Sequence, residues 1–409
     1  MGKLDRFVIV YDQPSGVYYA GQVVSGRVEV ALNSEMKMRE IRLTFVGRAY
    51  VSWTEHKRRH TGTGNNRRTH TQTIHYYAEE SYFNTRMTLF GKQPGQGGDN
   101  PIHPAGQYVY PFSFQLPPHC PSSYEGGVGY IRYFAKATID KPWKFDHSTK
   151  AAFTIVALYD LNLDPFASQS AQSMNQKTLG CACCSAGSIG VQVHLPKRGY
   201  VPGEPLLLRA DVANDSSRAM KRVEVKLKKR VRFTACRHGC GAEHTRYNDV
   251  KVAEIIDTEE MDANSHKEWV RELVVPALPP TLSTCRIISI WYEVEFKLVP
   301  HGPSTSLETT LPITIGSIPL RQIFQQLPPP RAAPGPSAPP LPPQIGQQYP
   351  DLPPPSYEEC VTGGGDVRDE DDNEYTGGNR EFAPRYAYYN WSQHPTPTAP
   401  AVLSYNEKS

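Results

Sequence analysis

The chain has 409 residues, of which 39% are hydrophobic and 21% are charged, a composition typical of a globular protein with a packed core. No apolar run approaches the roughly 18 residues that span a bilayer, and the first residues lack the apolar stretch of a secretory signal, so we expect a soluble, intracellular protein with reduced thiols. The formal net charge of +3 is modest and aromatic residues do not interleave with the basic ones, which argues against nucleic acid as a partner.

Short segments with a period of two follow one another through the first three quarters of the chain. The hydrophobic residues Ile41, Leu43 and Phe45 stand at every second position. Tyr110, Phe112 and Phe114 form a second series with the same spacing. This period is typical of half-buried strands in antiparallel sheets. We therefore predict packed β-sheets, with the polar stretch 54–84 as a loop insertion.

An internal repeat predicts two domains of the same kind. A set of six residues recurs at a constant offset of 182, and the pairs are Tyr18 and Tyr200, Gly21 and Gly203, Gln22 and Glu204, Val24 and Leu206, Arg27 and Arg209, and Val30 and Val212. Each copy is long enough for a sandwich of about seven or eight strands.

The last part of the chain has a different composition. Between Pro328 and Pro355, 13 of 28 residues are proline. Such a segment buries too little apolar surface to offset its ordering entropy, so we predict disorder with polyproline II stretches. From Ser317 to Ser409 there are 6 basic and 11 acidic residues, so an acidic tail follows a basic body.

Several runs resemble a known family. Residues 41–47, 110–117, 129–133 and 139–143 resemble the arrestin N-terminal domain, and residues 199–204 resemble the start of the arrestin C-terminal domain. With the proline-rich tail, the chain resembles the arrestin-domain-containing proteins, or α-arrestins. The resemblance implies an all-β fold with two arrestin-like, immunoglobulin-type β-sandwich domains and a disordered proline-rich tail. We place the N-terminal sandwich at 1–160, a linker with a cysteine cluster at 161–184, the C-terminal sandwich at 185–318 and the tail at 319–409.

The resemblance also implies a function. Such proteins are non-enzymatic adaptors that bring WW-domain ubiquitin ligases of the HECT class to transmembrane receptors or transporters. They promote ubiquitination, endocytosis and endosomal sorting of this cargo, from the cytoplasm and from the surfaces of the plasma membrane and endosomes. We find no nucleophile elbow, phosphate loop or nucleotide fingerprint, and therefore predict no catalytic residue and no cofactor. The alternative is an arrestin-like structural subunit of a trafficking coat that sorts cargo independently of a ubiquitin ligase.

The most specific motif of the tail is a Pro-Pro-x-Tyr match made by Pro354, Pro355, Ser356 and Tyr357. Polyproline II geometry presents the two prolines as a preformed ridge for aromatic rings, while the tyrosine fills a neighbouring pocket. This is the ligand pattern of WW domains. A second segment with Pro384 and Tyr386 lacks the first proline of the pair and is predicted to bind WW domains more weakly.

A basic stripe is the candidate contact for anionic lipid or acidic cargo. It consists of the alternating cations Lys226, Lys228, Arg230 and Arg232. A strand with this pattern presents charge on one face and buries the other, so an ordinary solvated face remains the alternative.

The cysteines suggest two further sites. Cys181, Cys183 and Cys184 lie in the predicted linker and are candidates for reversible acylation, with buried structural thiols as the alternative. Cys236, His238, Cys240 and His244 supply zinc-binding atoms, but their spacing matches no standard zinc pair, so we predict no metal site.

Overall fold

The computed structural model describes residues 3–61, 68–181, 184–237, 241–302, 305–326, 343–348, 355–361, 363–368, 372–379 and 381–390. Strands dominate these residues. Those of the N-terminal domain are β1 (Leu4–Tyr11), β2 (Val17–Tyr19), β3 (Val23–Leu32), β4 (Met36–Lys37), β5 (Glu40–Thr61), β6 (Arg68–Gly91), β7 (Ile102–His103), β8 (Gly106–Gln115), β9 (Tyr124–Glu125), β10 (Gly129–Asp140) and β11 (His147–Val156). Those of the C-terminal domain are β12 (Ala171–Cys181), β13 (Cys184–Leu195), β14 (Gly199–Tyr200), β15 (Pro205–Ser216), β16 (Met220–Arg237), β17 (Glu243–Asp257), β18 (Ser265–Val274), β19 (Ile288–Pro300) and β20 (Leu307–Ile315).

Each domain is a sandwich of two sheets. In the N-terminal domain, the sheet β1-β3-β8 faces the strands β6-β5-β10-β11-β2. Phe45 of β5 stacks on Phe114 of β8, with ring centroids 4.5 Å apart. In the C-terminal domain, β12-β13-β15-β18 faces β14-β20-β19-β16, with β17 beside β16. Trp269 of β18 meets Phe296 of β19 edge to face at 5.6 Å.

The predicted alternation determines which side chains form the cores. Ile41, Leu43 and Phe45 are all fully buried, as predicted from their spacing. Burial of one such side chain contributes about 1.5–3 kcal/mol, so a polar residue at any of these positions would weaken the sandwich.

The two domains repeat the same local structure. A short strand pairs in parallel with the last strand of its domain in both copies, β2 with β11 and β14 with β20. The hydroxyl of Tyr133 donates to the carbonyl of Pro121 at 2.8 Å, and that of Tyr292 donates to the carbonyl of Pro279 at 2.6 Å. The repeat found in the sequence is therefore a structural repeat.

The described parts of the stretch 54–84, residues 54–61 and 68–84, are not the loop that we predicted. They belong to an antiparallel ribbon in which β5 and β6 pair from Glu40 opposite Gly91 to Thr61 opposite Arg68. Alternating threonines at 69, 71 and 73 favour extended backbone, which explains why this polar sequence continues the strands. The ribbon also reaches the other domain, because Tyr77 and Tyr76 of β6 pair with Cys236 and Arg237 of β16.

The linker between the domains is shorter than the predicted 161–184. It contains a 3-10 turn at Leu161–Leu163, but β12 already belongs to the C-terminal domain because it pairs with β13 along its whole length. The edge strand β12 is mostly polar, so composition alone does not reveal it as a strand.

The described part of the tail lies against the body. It contains the helices α1 (Arg321–Gln326) and α2 (Pro343–Gln348) and the strands β21 (Ser356–Glu359), β22 (Gly365–Asp366), β23 (Thr376–Asn379), β24 (Glu381–Phe382) and β25 (Arg385–Tyr388). We call the segments 355–361, 363–368, 372–379 and 381–390 the docked tail. In this part of the tail, β23 joins the body sheet in parallel with β11, and β22 pairs with β24. Of the stretch 328–355 predicted to contain polyproline II, only 343–348 and 355 lie within the described residues.

Candidate functional site

The two predicted WW-binding segments pair with each other. β21, which contains Ser356 and Tyr357, runs antiparallel to β25, with Tyr357 opposite Ala387 and Glu358 opposite Tyr386. An ion pair between Arg385 and Glu359 at 3.1 Å closes one end of this two-stranded ladder. Both segments are thus part of one folded element in the docked tail.

Tyr357 packs against the N-terminal domain. Its hydroxyl lies 2.6 Å from that of Tyr19, and the two rings meet edge to face with centroids 6.5 Å apart. The ring joins the cluster formed by Val17, Tyr19 and Val156. Burial, followed by the neighbouring Tyr19, raises the pKa of Tyr357 well above its usual value, so both hydroxyls stay neutral at physiological pH.

The prolines beside Tyr357 differ in what the structure describes. Pro355 is buried, whereas Pro354 lies outside the described residues. Ser356 is exposed and its hydroxyl donates to the carbonyl of Tyr388 at 3.1 Å. Of the described residues of the first motif, Pro355 is therefore buried and Tyr357 contacts the body.

The second segment lies deeper. Pro384 is buried, and Tyr386 is 1% exposed with its hydroxyl donating to the carbonyl of Ser123 at 2.8 Å. Burial raises the pKa of Tyr386 well above its usual value. The end of β25 is held as well, because the hydroxyl of Tyr389 donates to the carbonyl of Ser317 at 2.8 Å.

A glycine of the body admits the tail backbone. Gly203 has a left-handed backbone with a φ of 88°. A Cβ at this position would lie 1.9 Å from the carbonyl oxygen of Tyr389. The amide of Tyr389 also donates to the carbonyl of Pro202 at 3.0 Å. The turn at 202–203 is therefore one wall of the tail site.

An ion pair joins the acidic part of the tail to the N-terminal domain. Asp372 lies 2.7 Å from the ammonium of Lys150, whose side chain is fully buried, and 3.8 Å from that of Lys136. The guanidinium of Arg132 donates to the carbonyl of Asp366 at 2.8 Å while it forms a two-pronged pair with Glu125. Opposite charges of tail and body thus meet at the docking surface.

The predicted basic stripe lies on β16 with its alternate residues buried, as its pattern indicated. Three of its four cations form ion pairs with neighbouring carboxylates: Lys226 with Glu224 at 2.8 Å, Lys228 with Glu295, and Arg230 with Glu293 at 2.8 Å. Arg232 is exposed and donates to the hydroxyl of Ser289 at 3.1 Å. Glutamates beside the stripe therefore balance three of its four cations.

One lysine of β16 lies on the apolar side of the strand. Lys229 is buried and its ammonium lies 5.2 Å from the ring centroid of Tyr124 in the other domain. Burial lowers its pKa.

The candidate acylation site lies at a hairpin tip. The backbones of Cys181 and Cys184 are paired at the end of the ladder between β12 and β13, and Cys183 lies outside the described residues. The candidate zinc residues lie in part outside the description too, at His238 and Cys240. Among the residues that the structure does describe, no three histidines, cysteines or carboxylates come together as metal ligands.

Sequence reasoning missed the body's side of the tail site. Tyr19, Lys150 and Gly203 have no local signature, since a buried tyrosine, a strand lysine and a turn glycine are ordinary in a sandwich. The one available signal was the charge contrast between an acidic tail and a basic body.

In the described part of the chain, no helix is long and apolar enough to cross a membrane.

Comparisons with known proteins assign the two domains. The family model of the arrestin (or S-antigen) N-terminal domain matches residues 7–162, and that of the C-terminal domain matches residues 185–320. Arrestin domain-containing protein 17 of Caenorhabditis elegans is 36% identical over 326 residues, which are 78% of this chain and 72% of that protein. Arrestin domain-containing protein 1 of Rattus norvegicus is 29% identical over 349 residues, 83% of this chain and 72% of that protein. Human arrestin domain-containing protein 4 is 25% identical over 321 residues, 78% of this chain and 72% of that protein. Both arrestin domains are therefore present, and the chain belongs to the arrestin-domain-containing proteins, the α-arrestins.

Proposed function

We propose that this α-arrestin is an adaptor that connects WW-domain ubiquitin ligases of the HECT class to transmembrane cargo. The tail motif at Pro354, Pro355, Ser356 and Tyr357 binds the ligase, while the two sandwiches bind the cytosolic parts of receptors or transporters. The Pro-Pro-x-Tyr sequence on an arrestin body carries this proposal.

The mechanism is proximity. A single short motif binds a WW domain with a dissociation constant on the order of micromolar. Pro384 and Tyr386 provide a second, weaker ligand, and two motifs that reach linked WW domains raise the avidity without better individual contacts. Once the ligase is held beside a cargo tail, the local concentration of substrate lysines rises and ubiquitin transfer speeds up. Ubiquitination then directs the cargo to endocytosis and endosomal sorting.

The protein acts in the cytoplasm and at the surfaces of the plasma membrane and endosomes. Acylation of Cys181, Cys183 or Cys184 would tether the C-terminal domain to these membranes, and the position of Cys181 and Cys184 at the end of the β12-β13 ladder supports this role. The basic stripe on β16 adds only a small attraction for anionic lipid, since three of its cations are paired.

Affinity capture from cells tests the proposal. We compare the intact chain with Tyr357→Ala and measure the bound HECT ligases and the ubiquitin on captured cargo. We expect the variant to lose most of the ligase and to keep the cargo. Tyr405→Ala, which changes a tail tyrosine outside both motifs, should retain both.

The trafficking-coat alternative predicts a different result. If Tyr357→Ala left cargo turnover and sorting unchanged, the chain would act as an arrestin-like coat subunit and the ligase proposal would be wrong.

A further inference from the structure

We propose that the body covers Pro355 and Tyr357 of the chain's own Pro-Pro-x-Tyr motif, so that a WW domain can bind only after the docked tail opens. This inference rests on the proposed role of the motif as a WW ligand and adds its regulation. The surface concerned is built by Tyr19, Val17 and Val156 of the N-terminal domain, and its occupant is the segment around Tyr357.

The docked geometry and WW binding exclude each other. A WW domain takes the prolines on its aromatic rings and surrounds the tyrosine in a pocket. In the docked tail, Pro355 is buried and the Tyr357 ring already lies against Tyr19, 6.5 Å between centroids. The backbone of Ser356–Glu359 is committed to a β-ladder with β25. Pro355 and Tyr357 therefore cannot contact the body and a WW domain at the same time.

The second segment locks the first. Because Glu358 pairs with Tyr386, the first motif cannot leave without breaking its ladder with β25. That strand is fixed by the buried hydroxyls of Tyr386 and Tyr389, which donate to carbonyls of the body at Ser123 and Ser317. A ligase with tandem WW domains can take both segments once they separate, so it compensates for the lost ladder better than a single WW domain.

A charge contact distant from both motifs stabilises the same closed arrangement. Lys150, fully buried, faces Asp372 at 2.7 Å, and β23 continues from there along β11. Removing the carboxylate leaves the buried ammonium without this counter-charge. This change favours opening of the docked tail, because water can reach the amine once the tail has opened. Asp372 lies in neither WW-binding segment, so its substitution tests the closure without altering the ligand.

The apparent affinity of a covered motif falls by the fraction of molecules that are open. A chain that is open one tenth of the time binds about tenfold more weakly than the free motif. We expect at least this difference between the full chain and a peptide of residues 349–362.

The experiment is a calorimetric titration with a single WW domain, because a tandem fragment would gain avidity from the second segment of the full chain. The ligands are the 349–362 peptide, the full chain, and the full-chain variants Asp372→Ala and Tyr19→Ala. We expect the full chain to bind at least about tenfold more weakly than the peptide, and both variants to recover most of that difference. Glu381→Ala, which removes an exposed tail carboxylate, should bind like the unchanged chain.

A second measurement guards against a variant that fails to fold. Amide hydrogen exchange of the full chain should show protection at Ser356–Glu359, and Asp372→Ala should reduce it at both β21 and β25 while the body strands keep theirs.

The outcomes separate the two proposals. Equal affinity of the full chain and the peptide, with unprotected amides at 356–359, would show that the motif is freely available and would overturn the covering. If the peptide itself failed to bind, the assignment of the motif as a WW ligand would be wrong, and the covering of a ligase site would fall with it.

Discussion

The hydroxyl of Tyr357 in the tail lies 2.6 Å from the hydroxyl of Tyr19 in β2. This contact links the residue on which WW binding would depend to a strand that pairs with the last strand of the same sandwich. The tail motif is therefore connected directly to a strand of the N-terminal sheet.

Tyr19→Phe should loosen the tail without disturbing the sandwich. The substitution keeps the ring and removes one partner of the hydroxyl pair, so the closed form should lose about 1 kcal/mol. Amide exchange at Ser356–Glu359 would measure this as roughly fivefold faster opening. Tyr200→Phe is the matched control, because the buried hydroxyl of Tyr200 has no hydrogen-bond partner among the described residues. Equal effects of the two variants would contradict the role of the Tyr19 contact.

Lys150 and Asp372 should show a strong energetic coupling. Contacting residues in one ion pair couple by about 0.5–3 kcal/mol, and the burial of Lys150 places this pair in the upper part of that range. A double-mutant cycle with Lys150→Met and Asp372→Ala would measure the coupling through the opening free energy of β23. A coupling near zero would show that the pair does not hold the tail.

Gly203→Ala should release the end of the docked tail. The new Cβ would meet the carbonyl oxygen of Tyr389, and the left-handed backbone adds about 1 kcal/mol of strain. Gly241→Ala provides the control, since its φ of 66° is also left-handed but a Cβ there meets nothing within 4 Å. Limited proteolysis should cut near β25 only in the Gly203 variant. Identical cleavage of the two variants would indicate that backbone strain, and not the contact with Tyr389, releases the tail.

The stability of the C-terminal domain should fall in acid through Glu224. The hydrogen bond from Lys226 holds the pKa of Glu224 below its ordinary value of 4.5, with Arg222 assisting. The folded state therefore favours the ionised form, and the resulting stability is present above about pH 4.5 and is lost as the pH falls through the lower folded pKa.

Urea unfolding at a series of pH values would measure this loss. Glu224→Gln should flatten the acid limb of the stability profile between pH 5 and pH 3, whereas Glu272→Gln, at an exposed position on β18, should leave it unchanged. An unaltered acid limb in Glu224→Gln would contradict the assignment.

Periodicity predicted the body well because sandwich strands bury every second residue. Phe45 and its neighbours could be assigned to the core from spacing alone, and the constant offset between Tyr18 and Tyr200 revealed the second domain. The ribbon was misjudged because residues 54–61 and 68–73 of its strands are polar, so buried apolar residues mark β6 only from Ile74 and Tyr76 onward.

The docking of the tail could not be predicted from local composition. Tyr386 and Tyr389 lie in a short aromatic-rich run after Phe382, but their hydroxyls reach carbonyls at Ser123 and Ser317 that are distant in sequence. Only long-range contacts show that these side chains have a site on the body.

The most direct test of the adaptor account is a titration of the intact chain and of Tyr357→Ala with a tandem WW fragment of a HECT ligase. The account predicts binding by the intact chain and loss of most of that binding in the variant, with the fold unchanged by circular dichroism. Equal affinities for the two chains would contradict it.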